Sequence, residues 1–356
     1  MAIYLQDFNI SSYRGIKDLS LTQLNHINIL TGDNNSGKTS ILELISTVDA
    51  PSDIESWLHT CRGSSFYHGF FNMFSINEEE KKISYNFTDS QFQEWEIALQ
   101  AMIEKTQIEE KEMYRINGYI RSEHNNKEEE KIFDTNCMHL STVVNDETNT
   151  LGDIYDFQKR ISVSSDKRKK KIKKTIYVAP FEHSKGRIYL DNVLTDKELF
   201  SEMLKVLQEF DENIININAV SINDRTEYMI LSKNHTKALP LTVYGDGMKK
   251  AILLLGAIMN AKDGILLLDE FETAIHTSAM DTLFSWLLES AMKLNVQVFL
   301  TSHSKEAIDK VLRCSDKLAS DINVYTLYKT QGENLVRMLT RQEAIDVQEN
   351  LGLELR

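Results

Sequence analysis

Gly32-Asp33-Asn34-Asn35-Ser36-Gly37-Lys38-Thr39 has the Gly-x4-Gly-Lys-Thr form of a phosphate-binding loop. Glycines in such a loop permit a tight turn whose backbone N–H groups cradle phosphates. The lysine reaches the β/γ oxygens and the threonine hydroxyl ligates Mg²⁺. The flanks agree with that reading: His26-Ile27-Asn28-Ile29-Leu30 predicts a strand directly before the loop, and Ser40-Ile41-Leu42-Glu43-Leu44-Ile45 a helix directly after it. Strand–loop–helix is the order the site requires, because the helix N-terminus adds its dipole to the anion cradle. The plain alternative is a glycine turn that only joins a strand to a helix.

A second segment weighs against that alternative. Ile265-Leu266-Leu267-Leu268 is a buried-strand pattern that ends in two carboxylates, Asp269-Glu270. In α/β sheets, ligands sit at the C-terminal ends of the strands. Together the two segments predict a chain that binds a nucleoside triphosphate and hydrolyses it.

Composition sets the frame. The chain has 356 residues, 42% hydrophobic and 26% charged, enough for one large domain with an inserted lobe. No apolar run approaches the ~20 residues of a membrane span, and Met1 to Asn9 lacks a signal-peptide core. Cys61, Cys137 and Cys314 lack metal-type spacing and read as reduced thiols of a cytoplasmic protein without a membrane partner. The net charge of −13 disfavours coating of DNA by charge alone. One strongly basic run, Lys167-Arg168-Lys169-Lys170-Lys171 with Lys173 and Lys174, reads either as a solvated connector or as a contact for nucleic acid or an acidic partner.

Along the chain, Ile3 to Ile10 reads as a strand, Tyr13-Arg14-Gly15-Ile16 as a turn, and Asp18 to Leu21 as a strand pairing back. Residues 77–174 are charged, with Glu78-Glu79-Glu80 and Glu128-Glu129-Glu130 around short apolar stretches, and read as an inserted lobe, mostly β. Alternation at Ile83 to Phe87 predicts a strand, and Trp95 to Leu99 a strand or a helix. No heptad run is long enough for a coiled coil. Thr175 to Pro180 resumes a core strand, and Thr195-Asp196-Lys197-Glu198 has the form of a capping box before a helix. Ile214 to Ile217 and Tyr228 to Leu231 read as strands, Met248 to Met259 and Ser278 to Leu294 as helices, and Gln297 to Leu300 as a strand ending in Thr301-Ser302-His303. The expected fold is α/β: a mainly parallel sheet with helices on both faces, antiparallel strands at the N-terminus, a domain made of 1–76 and 175–356, and the lobe at 77–174.

Tyr244-Gly245-Asp246-Gly247-Met248-Lys249-Lys250 opens a helix before the carboxylate strand, and Ser302-His303 closes a strand after it. That order resembles the ABC-type ATPase heads of the SMC, RecF and OLD-like group. More narrowly, it resembles the compact single-chain AAA ATPases grouped with the OLD family. Phe8-x5-Arg14-Gly15, Leu239-Pro240-Leu241, Asp269-Glu270-Phe271-Glu272 with Ile275-His276, Asn295-Val296-Gln297-Val298 and the closing Gly352-Leu353-Glu354-Leu355-Arg356 are similar as well.

The resemblance implies roles. Gly32, Asn34, Asn35, Ser36, Gly37, Lys38, Thr39 and Ser40 would surround the phosphates of ATP, and Thr39 and Asp269 would hold Mg²⁺. Glu270 would orient the attacking water. His303 would be the switch histidine at the γ-phosphate, whereas Ser302-His303-Ser304 taken alone reads as a polar strand end or helix cap. Arg14 would approach the base or phosphates. Gly245 and Gly247 would meet the nucleotide of a second subunit, which implies a homodimer formed on ATP. That signature departs from the common Ser-Gly-Gly form, with Gly245 in place of the serine and Asp246 in place of the first glycine. Glu272 and His276 share a face if the segment is helical, and belong in this reading to the dimer-facing loop.

An ATP-driven switch controlling a separately encoded nuclease or toxin-like effector in bacterial antiphage or genome defence is the favoured reading. An ATPase acting directly on DNA in repair or processing is the alternative. OLD-type nucleases carry a further acidic domain, and the stretch after His303, with Asp309, Asp316 and Asp321, is too short for one. Any nuclease is therefore expected on another protein.

Overall fold

A computed structural model describes residues 3–74, 81–118, 131–161, 171–185, 190–222, 225–314, 318, 320–330 and 332–351. The acidic runs at 78–80 and 128–130, basic residues 167–170, Asp316 and the closing 352–356 lie outside the described residues.

The frame is a six-stranded sheet of β3 (Ile27–Gly32), β8 (Thr175–Val178), β12 (Ile265–Leu268), β13 (Gln297–Thr301), β14 (Ile322–Thr330) and β15 (Glu333–Thr340). Its order is β15-β14-β3-β13-β12-β8, parallel except for the β14–β15 hairpin at one edge. All four residues of β12 are buried, the mark of a strand covered on both faces.

Alternate side chains of β12 enter different cores. Leu266 and Leu268 join Val298 and Leu300 beneath helices α6 (Lys197–Phe210), α7 (Asp246–Asn260), α8 (Thr277–Lys293) and α9 (Lys305–Arg313). Ile265 and Leu267 join Phe299 and Tyr325 on the other face, together with α1 (Lys38–Ser46) and a second sheet. A fully buried leucine in either core is worth about 1.5–3 kcal/mol of apolar transfer.

The second sheet is wholly antiparallel: β2 (Ile16–Leu21), β1 (Leu5–Tyr13), β4 (Lys81–Asp89), β5 (Glu94–Glu109), β6 (Ile132–Val144) and β7 (Glu147–Tyr155), in that spatial order. Trp95 to Leu99 is strand, inside the 16-residue β5. The stretch 77–174 thus joins the N-terminal strands edge-on through β4, which pairs with β1 from Leu5↔Asp89 to Ser12↔Ser84. Helices flank the parallel sheet as expected: α6 to α9 cover one face, and α1 together with the antiparallel sheet covers the other. A small sheet, β9 (Ile214–Ile222), β10 (Arg225–Ser232) and β11 (Leu239–Pro240), leads into α7.

One cap differs from the sequence reading. Thr195 ends a short helix, α5 (Asp191–Thr195), and Asp196 takes the extended conformation and caps α6, accepting from the N–H groups of Glu198 and Leu199. A residue closing one helix is not in the extended conformation an N-cap needs, so the role passes to the next oxygen-bearing side chain. Among the described residues no helix is long and apolar enough to cross a membrane.

Candidate functional site

The loop between β3 and α1 is shaped by conformations that need glycine. Gly32 has φ 133, and a Cβ there would lie 2.1 Å from the Leu327 carbonyl oxygen of β14, the strand paired beside it. Gly37 has φ 105, and a Cβ would meet Ile16 Cδ1 at 2.9 Å. Asn35, at φ 66, takes the left-handed position that asparagine tolerates best after glycine. Gly37 leads α1 without a side-chain cap, so the N-terminal amides of that helix face the loop. Asn34 and Asn35 are exposed and Ser40 is half-buried.

Lys38 is buried, and its Nζ donates to the carbonyls of Gly32 at 2.7 Å and Asp33 at 2.9 Å. Burial pushes its pKa down against the opposing fields of Asp269, Asp33 and Glu270. A buried ammonium on neutral carbonyls is poised for an anion.

The two sequence motifs meet. Thr39 Oγ1 donates to Asp269 Oδ1 at 3.1 Å, across the sheet from α1 to the end of β12. Parallel register makes this possible: Leu268 pairs with Leu300, and Thr301 with Leu30, so β12, β13 and β3 end at one level. The same Asp269 oxygen accepts from Thr301 Oγ1 at 2.5 Å, while Oδ2 accepts from the Tyr177 hydroxyl at 3.3 Å. Burial first, and then the charges of Asp269 and Glu43, push the Tyr177 phenol far up.

Glu270 stands at φ 43, a left-handed backbone that costs a non-glycine residue of order 1 kcal/mol or more. Its N–H donates to Thr301 Oγ1 at 2.8 Å, which holds the strained turn. Its carboxylate lies 3.8 Å from His303 Nε2, both side chains being partly open to solvent. The turn after β12 is not helical, so Glu272 and His276 do not share a helix face. Glu272 Oε1 instead accepts from Ser302 Oγ at 2.7 Å, His303 N at 3.2 Å and Ser304 N at 3.3 Å. Glu272 thereby fixes the segment that carries His303, whereas His276 caps α8.

Lys250, in the first half of α7, is completely buried and donates to the Pro180 carbonyl at 3.1 Å. Burial lowers its pKa to about 8, against the attraction of Glu272, Asp269, Glu270 and Glu182.

The structure therefore brings Lys38, Thr39, Asp269, Glu270 and His303 to one edge of the parallel sheet. It directs Arg14 elsewhere: that guanidinium pairs with Glu43 of α1 at 3.5 Å and donates to the Thr60 carbonyl. Gly245 and Gly247 lie at the start of α7, and a Cβ on Gly247 would sit 3.3 Å from the Ala274 carbonyl in the turn after Glu270. Thr301, Tyr177 and Lys250 are members that sequence reasoning did not assign, and Glu272, read there as part of the dimer-facing loop, here holds the His303 segment. Thr301 had a signal, a hydroxyl at the end of a buried strand beside the carboxylate strand. Lys250 had none, because a lysine in an apolar helix ordinarily reaches out to water.

The residues fit nucleotide and Mg²⁺. Thr39 and Asp269 offer hard oxygen donors, which suit that ion. The buried Ser36 hydroxyl in the loop has no partner among the described residues, a donor available to an anion.

Comparison with known proteins agrees with the fold. A protein of Helicobacter pylori described as an ATP/GTP phosphatase is 24% identical over 346 residues, covering 88% of this chain and 89% of that protein. An uncharacterised protein of Methanocaldococcus jannaschii is 34% identical over 113 residues, 32% of this chain. Among solved structures, an SMC head bound to the C-terminal winged-helix domain of ScpA superposes with a TM-score of 0.53 at 11% identity, over 96% of this chain and 99% of that one. The family described as "AAA domain, putative AbiEii toxin, Type IV TA system" matches residues 27–309. The chain belongs to that AAA ATPase family, on the P-loop fold of SMC heads.

Proposed function

We propose that the protein is an ATP-hydrolysing switch whose two copies close head-to-tail on ATP and so control a separate effector protein. The observation that carries the hydrolytic part is the 3.1 Å contact of Thr39 with Asp269, with Glu270 and His303 beside it. Lys38 leaves its two carbonyls for the β/γ-phosphates, and the amides at the start of α1 receive the remaining charge. Thr39 and Asp269 would hold Mg²⁺, which would supply neutralisation of charge developing on the phosphate oxygens. Glu270 accepts a hydrogen bond from the attacking water and orients it, and Thr301 fixes Glu270 by its backbone. His303 reads the far side of the γ-phosphate, held in place by Glu272. Arg14 in this reading braces α1 through Glu43.

Dimerisation is supported by the signature turn. A Cβ at Gly245 would meet no atom within 4 Å, so the turn opens outward at an uncapped helix start. Such a start receives an anion brought by another chain. A toxin-like or nuclease effector and a defence setting accord with the toxin–antitoxin wording of the family description. A cytoplasmic location accords with the same reading.

The test uses Glu270→Gln purified with ATP and Mg²⁺. Light scattering should report a dimer that the wild type forms only transiently, and a protein partner should co-elute. A monomer, together with a wild type that does not hydrolyse ATP, would sink the switch. Co-elution of DNA alone would put direct action on DNA in its place.

A further inference from the structure

We propose that Cys137, His139 and Asp153 form a binding site for a borderline-soft divalent ion of the zinc class, on the antiparallel sheet and separate from the nucleotide edge. The three lie where strand pairing must bring them together. Cys137 and His139 are two apart on β6 and so project from one face, and Asp153 of β7 is paired directly opposite His139. Cys137 Sγ, a ring nitrogen of His139 and a carboxylate oxygen of Asp153 all lie within 4.8 Å of one another.

The donor set is one thiolate, one imidazole and one carboxylate, a combination that suits zinc better than a hard cation such as Mg²⁺. Tetrahedral bonds of about 2.0–2.3 Å place ligand atoms roughly 3.3–3.7 Å apart. His139 Nδ1 and Asp153 Oδ1 now stand 2.7 Å apart around a shared proton, so replacing that proton by the ion needs about an ångström or less of opening. Burial and the Asp153 charge push the Cys137 thiol up to about 11, a bias that a bound cation reverses.

The other ring nitrogen is also occupied as such a site requires. His139 Nε2 lies 3.1 Å from Glu104 Oε1, the carboxylate one diagonal step away on β5. With an ion in place of the proton on Nδ1, that contact would keep the ring's remaining proton on Nε2. The backbone beside the site is adapted too. The β6–β7 register shifts between Leu140 and Ser141, and Gly152, immediately before Asp153, has φ 126 with nothing within 4 Å of a Cβ. Its conformation, rather than lack of room, calls for glycine, and a bulge of this kind re-aims the next side chain. The thiol is buried while Asp153 and Glu104 face solvent, so the ion enters from outside and keeps a fourth position for water.

The experiment titrates the full chain, freed of metal by chelation, with Co²⁺ and then displaces it with Zn²⁺. The wild type should bind one equivalent with a thiolate-to-cobalt charge-transfer band that Zn²⁺ abolishes. Cys137→Ser should lose the band, and Cys61→Ser, Cys314→Ser and Asp269→Asn should keep it. Glu104→Gln should weaken Co²⁺ binding about 10–100-fold without removing the band. Asp153→Asn should weaken binding at least as much. No thiolate band in the wild type, or one that survives Cys137→Ser, overturns the proposal.

Discussion

The phosphate loop and the signature turn both begin a helix with glycine, and the chain treats them oppositely. Gly32 and Gly37 hold positive φ, and each has neighbours that a Cβ would strike, at 2.1 Å and 2.9 Å. Gly245 has φ −62, open to any residue, and nothing within 4 Å. The first loop is small because its own chain crowds it. In the signature turn a Cβ at Gly247 would come within 3.3 Å of the Ala274 carbonyl, whereas Gly245 is left open, and the proposed dimer would place its second subunit there.

The largest expected effect breaks the chemistry of the crowded side. Glu270→Gln should slow ATP hydrolysis by about 10²–10⁴-fold while ATP binding persists, as loss of a base-like group does. Loss of binding as well, measured by nucleotide titration, would place Glu270 in the cradle rather than in the chemistry. Next, Gly32→Ala should destabilise the fold by about 3 kcal/mol or more through strain and collision with β14. Gly245→Ala should stay within about 1 kcal/mol, the span of an N-cap change, and still depress hydrolysis. Equal losses in chemical denaturation would erase the contrast.

A smaller effect is expected at Glu272. Glu272→Gln weakens the acceptor that holds Ser302, His303 and Ser304, and should cost about tenfold in hydrolysis with little change in stability. A fully active variant would leave the His303 segment without a need for that brace. A further effect, on pH dependence, concerns Lys250, whose pKa lies near 8 in the fold against the ordinary 10.5. Below about pH 8 both folded and unfolded chains carry the proton; between about 8 and 10.5 only the unfolded chain does. Stability should therefore rise with pH across that window, by about 1.4 kcal/mol per unit at most, and level off above it. Lys250→Met should remove the rise.

Much of this edge was legible in the sequence because its chemistry is carried by contiguous residues. Gly32 to Thr39 and Ile265 to Glu270 announce a strand followed by a loop, and parallel pairing then levels their ends. Asp196 taking the cap from Thr195, and the departure of 269–276 from helix, were not legible, since both depend on where a neighbouring turn ends. Glu272 and Lys250 were hidden for another reason: their partners lie far along the chain, at Ser302 to Ser304 and at Pro180. The antiparallel sheet is the extreme case, joining β1 to β4 across a stretch whose charge pattern reads as a separate lobe.

In the proposed switch, each catalytic site is shared between two chains. Mixing Glu270→Gln with Gly247→Asp tests it directly by steady-state ATP hydrolysis. In a mixed dimer, one site unites an intact Glu270 with an intact signature turn, so mixing should yield hydrolysis that neither variant has alone. Activity no greater than the sum of the two separate variants would show that the site is completed within one chain, and would contradict the shared arrangement.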